Sequence, residues 1–472
     1  MQRSRFVTNT ALLTASSLLM SLIGMTFQVW LVGRIGSAGI GLYQLTVSVA
    51  DLAATLAISG IRFASTRLIA EELGRDSPGG ILEGSRRCLC YAAFFGFAAG
   101  LVLYHLAQPL GFLWIRDART VLSLRIASLS MPCISLCASM SGYFTACGRV
   151  WKPTLVHLIE QLAGIALAAL CLSRAPAGDI EKSCAAVTLG RLAADLLSLL
   201  LMSALFLGDR RRYRGRGRAE TGLTGRMLRL AMPLALSAYA RSALTTIQHL
   251  LVPRGLKAAG FSADGALSGY GIVQGMALPV LFFPSCVLAA AAELIVPELT
   301  EAQVRGDTPG IRRTAERLLR LSLLFSLAVA GFLLLFAPQL AVAVYRSEEA
   351  GRFIRLLAPL TPILYLDMVV DGCLKGLGQQ LWSMCVNIVE SLLGLALILF
   401  LLPRYALSAY LAILYITELF NFVLSIGRLR CIIPRRNSRL ASSYVPRPHP
   451  PCGGSAKCAY TAGRSAETPR RP

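Results

Sequence analysis

The chain has 472 residues, 55% apolar and 15% charged, with a formal net charge of +22. A soluble domain carries about a quarter charged residues, so the composition excludes an ordinary soluble enzyme and points to a protein embedded in lipid. The thirteen cysteines are scattered. Most lie in apolar runs, and Cys88/Cys90 and Cys452/Cys458 lack a partner pair at zinc spacing, so neither a metal site nor a disulfide framework is expected.

Runs of the length needed to cross hydrocarbon recur from end to end. In chain order they predict twelve spans, at 8–32, 38–60, 88–108, 121–143, 153–173, 183–207, 227–251, 268–292, 318–341, 354–376, 382–402 and 408–427. The first is long and is not followed by a small-residue cleavage site, so a cleaved signal peptide is not expected. The segment GDRRRYRGRGRAETGLTGRMLR holds eight arginines against two acids. With twelve spans it falls on the same side as MQRSR, as Arg305, Arg312, Arg313, Arg317 and Arg320, and as the arginine-rich tail. By the positive-inside rule that side is expected to be cytoplasmic, with both termini on it. The basic charge therefore reads as topology setting and attraction to anionic lipids rather than as nucleic-acid binding. The tail after the last span lacks apolar periodicity and reads as disordered.

Residues 125–172 set over 355–402, a constant offset of 230, match at twelve of 48 positions. The matches include Arg125/Arg355, Pro132/Pro362, Gly142/Gly372, Gly148/Gly378, Glu160/Glu390 and Gly164/Gly394. A second echo joins GRDSPGGI to RGDTPGI in the loops. Apolar composition alone does not match prolines, glycines and a buried acid. The expected fold is an all-α polytopic membrane protein of two six-helix lobes. Because six is even, the repeat is parallel, with a substrate path between the lobes. The organisation is an N-terminal lobe at 1–208, a basic inter-lobe loop at 209–226, a C-terminal lobe at 227–430 and a basic tail at 431–472.

Charges inside spans are costly and mark interior faces. In span five His157, Glu160, Gly164 and Ala168 share a helical face, and span eleven repeats it with Asn387, Glu390 and Gly394. Each glutamate is either an interhelical anchor or a protonatable, cation-pairing group. Asp51, Asp367 and Asp371 are further interior or coupling candidates; Arg191 and Asp195, four apart, could neutralise each other. Arg62, Arg241 and His249 form a candidate diphosphate set, because an arginine fork makes bidentate, charge-assisted bonds to phosphate. Arg62 could equally snorkel. Walker, GxSxG, HExxH and dinucleotide signatures are absent, so the chain reads as a non-enzyme without a cofactor.

The stretch YGIVQGMALPVLFFPSCVLAAAAELIVPELTEA (270–302), with QHLLVPRGL (248–256), GLYQLTVSVADLAATLAISGIRFASTRLIAEE (41–72) and HLIEQ (157–161), closely resembles the stage V sporulation protein B family. That family sits in the multidrug/oligosaccharidyl-lipid/polysaccharide exporter superfamily, and the likeness runs over about 5–430. It implies a two-lobed, MATE-like flippase fold and an undecaprenyl-diphosphate-linked glycan substrate, supplied in sporulating bacteria for spore cortex peptidoglycan. Cell-envelope synthesis enzymes are further partners in this reading. The chain departs from the family where an acid is common near Gln248 or His249, in having no extra pair of spans, and in Glu293. Two competing readings stay open: a Na⁺- or H⁺-coupled exporter of organic cations, with acids dominating the cavity, and a membrane scaffold.

Overall fold

The computed structural model describes residues 2–75, 77–174, 176, 178–211 and 222–433, with side chains described from 18 onward except at 293, 294, 297 and 304. The expectations for residues 212–221 of the inter-lobe loop, for 434–472 of the tail and for the Glu293 side chain lie outside this set. Among the described residues all regular structure is helical.

The N-terminal half runs through α1 (Gln2–Ile58), α2 (Ile61–Gly74), α3 (Pro78–Pro109), α4 (Val121–Ser128), α5 (Met131–Ala146), α6 (Trp151–Ser173) and α7 (Ile180–Arg210). The C-terminal half follows as α8 (Leu223–Ala258), α9 (Ala263–Gly271), α10 (Leu278–Phe282), α11 (Cys286–Val304), α12 (Thr308–Tyr345), α13 (Glu348–Leu357), α14 (Thr361–Gly376) and α15 (Gln380–Ile432). By length and hydropathy eight helical segments can cross a membrane, nine with the bent pair α4–α5. Both α1 and α15 hold two passes, because each breaks inside, at Gly36 (φ 70°) and at Ala406 (φ 51°). The 36-residue α8 is long enough for the remaining pass but is polar, carrying Arg226, Arg229, Arg241, Arg254 and Lys257. Split at those breaks, and with α8 counted, the described helices form twelve segments, one for each apolar run of the sequence.

The repeat is visible in the backbone itself. Arg116 (φ 57°) and Arg346 (φ 54°) are both left-handed, and so are Gly148 (φ 68°) and Gly378 (φ 71°), each pair 230 residues apart. A non-glycine residue in that region costs energy, so two arginines held there at equivalent sites reflect the same turn built twice. Asp117 and Ser347 cap the next helices, and Ser77 and Asp307 cap α3 and α12 by accepting from the Gly80 and Gly310 amides. Pro132 and Pro362 lack an amide donor. Both follow a break, a 42° bend between α4 and α5 and a 3₁₀ turn at Ala358–Leu360 between α13 and α14.

Span eight is less regular than its apolar run suggests. A π-helical turn at Ile272–Ala277 and a 3₁₀ turn at Phe283–Ser285 divide it into α9, α10 and α11. Such turns re-aim side chains within a helix. The VPR stretch (252–254) is helical, with Pro253 inside α8.

Glycines bring the lobes together at one end of the bundle. A Cβ on Gly41 would stand 2.2 Å from the Leu267 carbonyl oxygen, and one on Gly271 would stand 2.2 Å from that of Ser37. Without side chains, α1 and α9 cross backbone to backbone. The Ser37 and Ser268 hydroxyls then meet at 2.6 Å, and Arg119 bridges Asp117 and Asp264 at 2.7 and 2.8 Å. The Arg254 guanidinium donates to the Leu113 carbonyl nearby. At the opposite, basic end α8 packs onto α2 and α3, with Leu223, Met227 and Ala231 against Ile61, Ala64, Leu68 and Cys88. There Arg226 reaches Glu72 at 3.0 Å and Glu71 at 3.6 Å.

Candidate functional site: two polar cavities, one in each lobe

The N-terminal lobe holds a cavity of about 570 Å³ between α1, α6 and α7. His157, Glu160, Gly164 and Ala168 line it from α6, Arg191 and Asp195 from α7, and Arg62 from α2. A smaller space of about 130 Å³ adjoins it and shares Arg62, His157, Glu160 and Asp195. Glu160 Oε2 accepts from Ser198 Oγ at 2.6 Å and lies 3.3 Å from His157 Nδ1. Arg191 faces Tyr43, Asp195, Asp51 and Glu160 electrostatically while its surface opens to the cavity. Arg191 thus lies within electrostatic reach of three acids and not of Asp195 alone, and Asp195 Oδ2 is buried without a hydrogen-bond partner among the described residues.

The C-terminal lobe has a smaller cavity of about 210 Å³ between α8, α14 and α15. Glu390 Oε2 accepts from Asn421 Nδ2 at 2.9 Å, and the same amide reaches Asn387 Oδ1 at 3.3 Å. Glu418 faces Glu390, and Asp367 faces Glu418 and Asp371. Among the described residues no arginine or lysine lines this cavity. Charges of one sign in a low-dielectric interior require compensation by protons or by a bound cation. His249 closes another wall, with Nδ1 3.0 Å from the Tyr270 hydroxyl. The two lobes thus repeat one framework, a carboxylate on the fifth or eleventh pass held by a polar side chain from the next. Their cavities differ in charge, since the first is lined by arginines and the second, among the described residues, is not.

Residues 6–303, well over half of the chain, match the family described as polysaccharide biosynthesis protein. The chain belongs to that family. Residues 258–400 match the MatE family. Stage V sporulation protein B of Bacillus subtilis (strain 168) is 24% identical over 417 residues, covering 86% of this chain and 80% of that one, in line with the resemblance of the YG…GMALP block. Among solved structures, the lipid II flippase MurJ in an inward closed conformation superposes with TM-score 0.67 at 12% identity, over 88% of this chain and 86% of that one. An inward-facing multidrug resistance MATE family transporter of the MOP superfamily superposes with TM-score 0.65 at 15% identity, over 88% and 95%. The fold of this family member is therefore the two-lobed, MATE-like one.

Within that fold the candidate residues separate. Arg62 and Glu160 line the first cavity, with Asp51 beside it through Arg191. His249 and Glu390 line the second, and Asp367 adjoins it. Asp371 is held by Lys375 of its own helix at 2.6 Å. Arg241 is exposed on α8 and lines neither cavity, so Arg62, Arg241 and His249 are not gathered in one pocket. Sequence reasoning missed Glu418 and Asn421. Glu418 meets the criterion that selected Glu390, an acid inside an apolar run. Asn421 carries no such signal, because only packing shows which carboxylate it meets. The glycines four residues after each glutamate also differ: a Cβ at Gly394 would lie 2.6 Å from the Gln248 amide nitrogen, whereas one at Gly164 would make an ordinary 3.5 Å contact. Gln248 uses that space to donate to the Ser391 carbonyl at 2.6 Å.

Proposed function

We propose that the chain is a flippase that moves an undecaprenyl-diphosphate-linked glycan across the bacterial cytoplasmic membrane by alternating access, with both termini cytoplasmic. We read the lobes as 1–208 and 227–430. Spore cortex peptidoglycan precursor is the substrate we favour, as the family resemblance implies, and the name of the Bacillus subtilis relative, a stage V sporulation protein, supports a role in sporulation. The observation that carries the reading is family membership combined with the placement of Arg62 and Arg191 in one cavity. Two guanidiniums lining one cavity with His157 offer a diphosphate the charge-assisted bonds that replace its hydration. Arg241 and His249 remain candidates for later contacts along the path. An apolar cleft of about 790 Å³, walled by Met25 and Val29 of α1, Val280 of α10, and Phe325 and Phe332 of α12, suits a polyprenyl tail that stays in lipid. Modest binding in both states keeps release from becoming slow.

The cavity of the second lobe, which carries carboxylates but no arginine or lysine among the described residues, favours a coupling role for Glu390, Asp367 and Glu418, with a proton or cation as the compensating charge. It is also the observation that supports the cation-exporter reading. Proteoliposomes decide between them. They would carry a fluorescent undecaprenyl-diphosphate glycan and receive an impermeant quencher outside. Movement above the empty-liposome rate, lost in Arg62→Glu and Arg191→Gln, supports the flippase. Absence of movement, together with gradient-driven uptake of an organic cation, favours the exporter. Arg241→Glu tests whether that arginine belongs to the path.

A further inference from the structure

At the basic end of the bundle a cleft of about 320 Å³ lies between the start of α12 and the end of α15, apart from both lobe cavities. Arg312 and Arg430 stand at its walls, and Leu319, Ile426 and Ile433 make its floor. The floor is the outer face of an apolar cluster that includes Ile311, Ala315 and Leu429. Glu316 also lines the cleft but is already engaged, taking a 2.6 Å bond from Arg312 Nε and a 3.3 Å contact from Arg320. Two guanidiniums thus line the cleft against one carboxylate that Arg320 also contacts from outside it, and the cleft keeps a positive excess. Arg430 lies in the last turn of α15, where part of its charge offsets the carbonyl end of the helix, so an anion needs Arg312 as well.

We propose that this cleft is a binding site for an anionic phospholipid, with its phosphate between Arg312 and Arg430 and its acyl chains over Leu319 and Ile426. The guanidinium fork suits phosphate oxygens, and basic residues at the membrane surface attract anionic headgroups. The apolar floor selects an amphiphile over free phosphate, which gains nothing from Leu319 or Ile426. A zwitterionic lipid presents the same phosphate but adds a cation beside two arginines.

Native mass spectrometry of the purified full chain, equilibrated with phosphatidylglycerol or phosphatidylcholine, tests the site. The variants are Arg430→Gln and Arg313→Gln, the latter removing an equal charge from the exposed side of α12, outside the cleft. The expected result is phosphatidylglycerol retained by the parent protein and by Arg313→Gln, and retention reduced about fivefold in Arg430→Gln, whose melting temperature is unchanged. Arg312→Gln should lower retention similarly. Equal losses in Arg313→Gln and Arg430→Gln would mean diffuse surface attraction and overturn the site. So would equal retention of phosphatidylcholine, undiminished retention in Arg430→Gln, or displacement of the lipid by millimolar inorganic phosphate.

Discussion

The Ser37 and Ser268 hydroxyls meet at 2.6 Å across the two lobes, at the point where Gly41 and Gly271 let α1 and α9 touch. Alternating access requires this junction to open. In a background lacking the thirteen native cysteines, Ser37→Cys with Ser268→Cys should form an oxidant-induced crosslink within the chain. The crosslink should abolish glycan movement in proteoliposomes, and reduction should restore it. Movement that continues in the fully crosslinked protein would show that the junction stays closed throughout transport.

The same crossing separates tight glycines from loose ones. Gly271→Ala places a Cβ 2.2 Å from a backbone oxygen, whereas Gly164→Ala places one 3.5 Å from the Ala194 Cβ. Overpacking typically costs about 1–3 kcal/mol, so Gly271→Ala should lower the melting temperature measurably. Gly164→Ala should leave it close to the parent value. Thermal unfolding in one detergent, by intrinsic fluorescence, compares the two.

Glu72 is buried at 1% side-chain exposure and is shared by Arg75 and Arg226, the second of which anchors the start of α8 to the first lobe. Removing one partner of a buried pair strands the other charge, at a cost of about 3–5 kcal/mol. Arg226→Ala should fall at or below the lower bound, because Arg75 still reaches Glu72 at 3.3 Å. Proteolysis should become faster near the start of α8 in that variant. Unchanged stability and cleavage would mean that apolar packing of Leu223 and Met227 suffices to dock α8.

Glu418→Gln removes one of the three carboxyls that face each other in the second lobe. Relief of like-charge crowding should leave stability equal or raised, while any dependence of transport on a proton or sodium gradient weakens by about fivefold or more, in keeping with coupling energies of about 1–3 kcal/mol. Glu160→Gln, in the lobe where Arg191 already supplies positive charge, should affect gradient dependence less. Flux measured with and without each gradient decides the comparison. Equal effects in the two lobes would remove the distinction drawn from Arg191.

The expected residues fared unequally for a physical reason. The face of His157, Glu160, Gly164 and Ala168 was legible because helical spacing fixes it locally, and all four line one cavity. The expected couple of Arg191 and Asp195 followed the same spacing rule, yet Arg191 is shared with Tyr43, Asp51 and Glu160 from other helices. The diphosphate set of Arg62, Arg241 and His249 rests on residue type alone, which does not specify which pass faces which. The structure puts Arg62 and His249 in separate lobes and Arg241 in neither cavity.

By itself the sequence determined the order of the apolar runs, the duplication and the prolines and glycines that recur within it, because run length, proline and glycine act within a few residues of chain. Tertiary structure alone decided that Asn421 holds Glu390, that Tyr270 meets His249, and that Gly41 and Gly271 admit a backbone crossing. Each of those depends on the rotation of one helix about its axis relative to another, which side-chain packing between passes sets and local sequence does not.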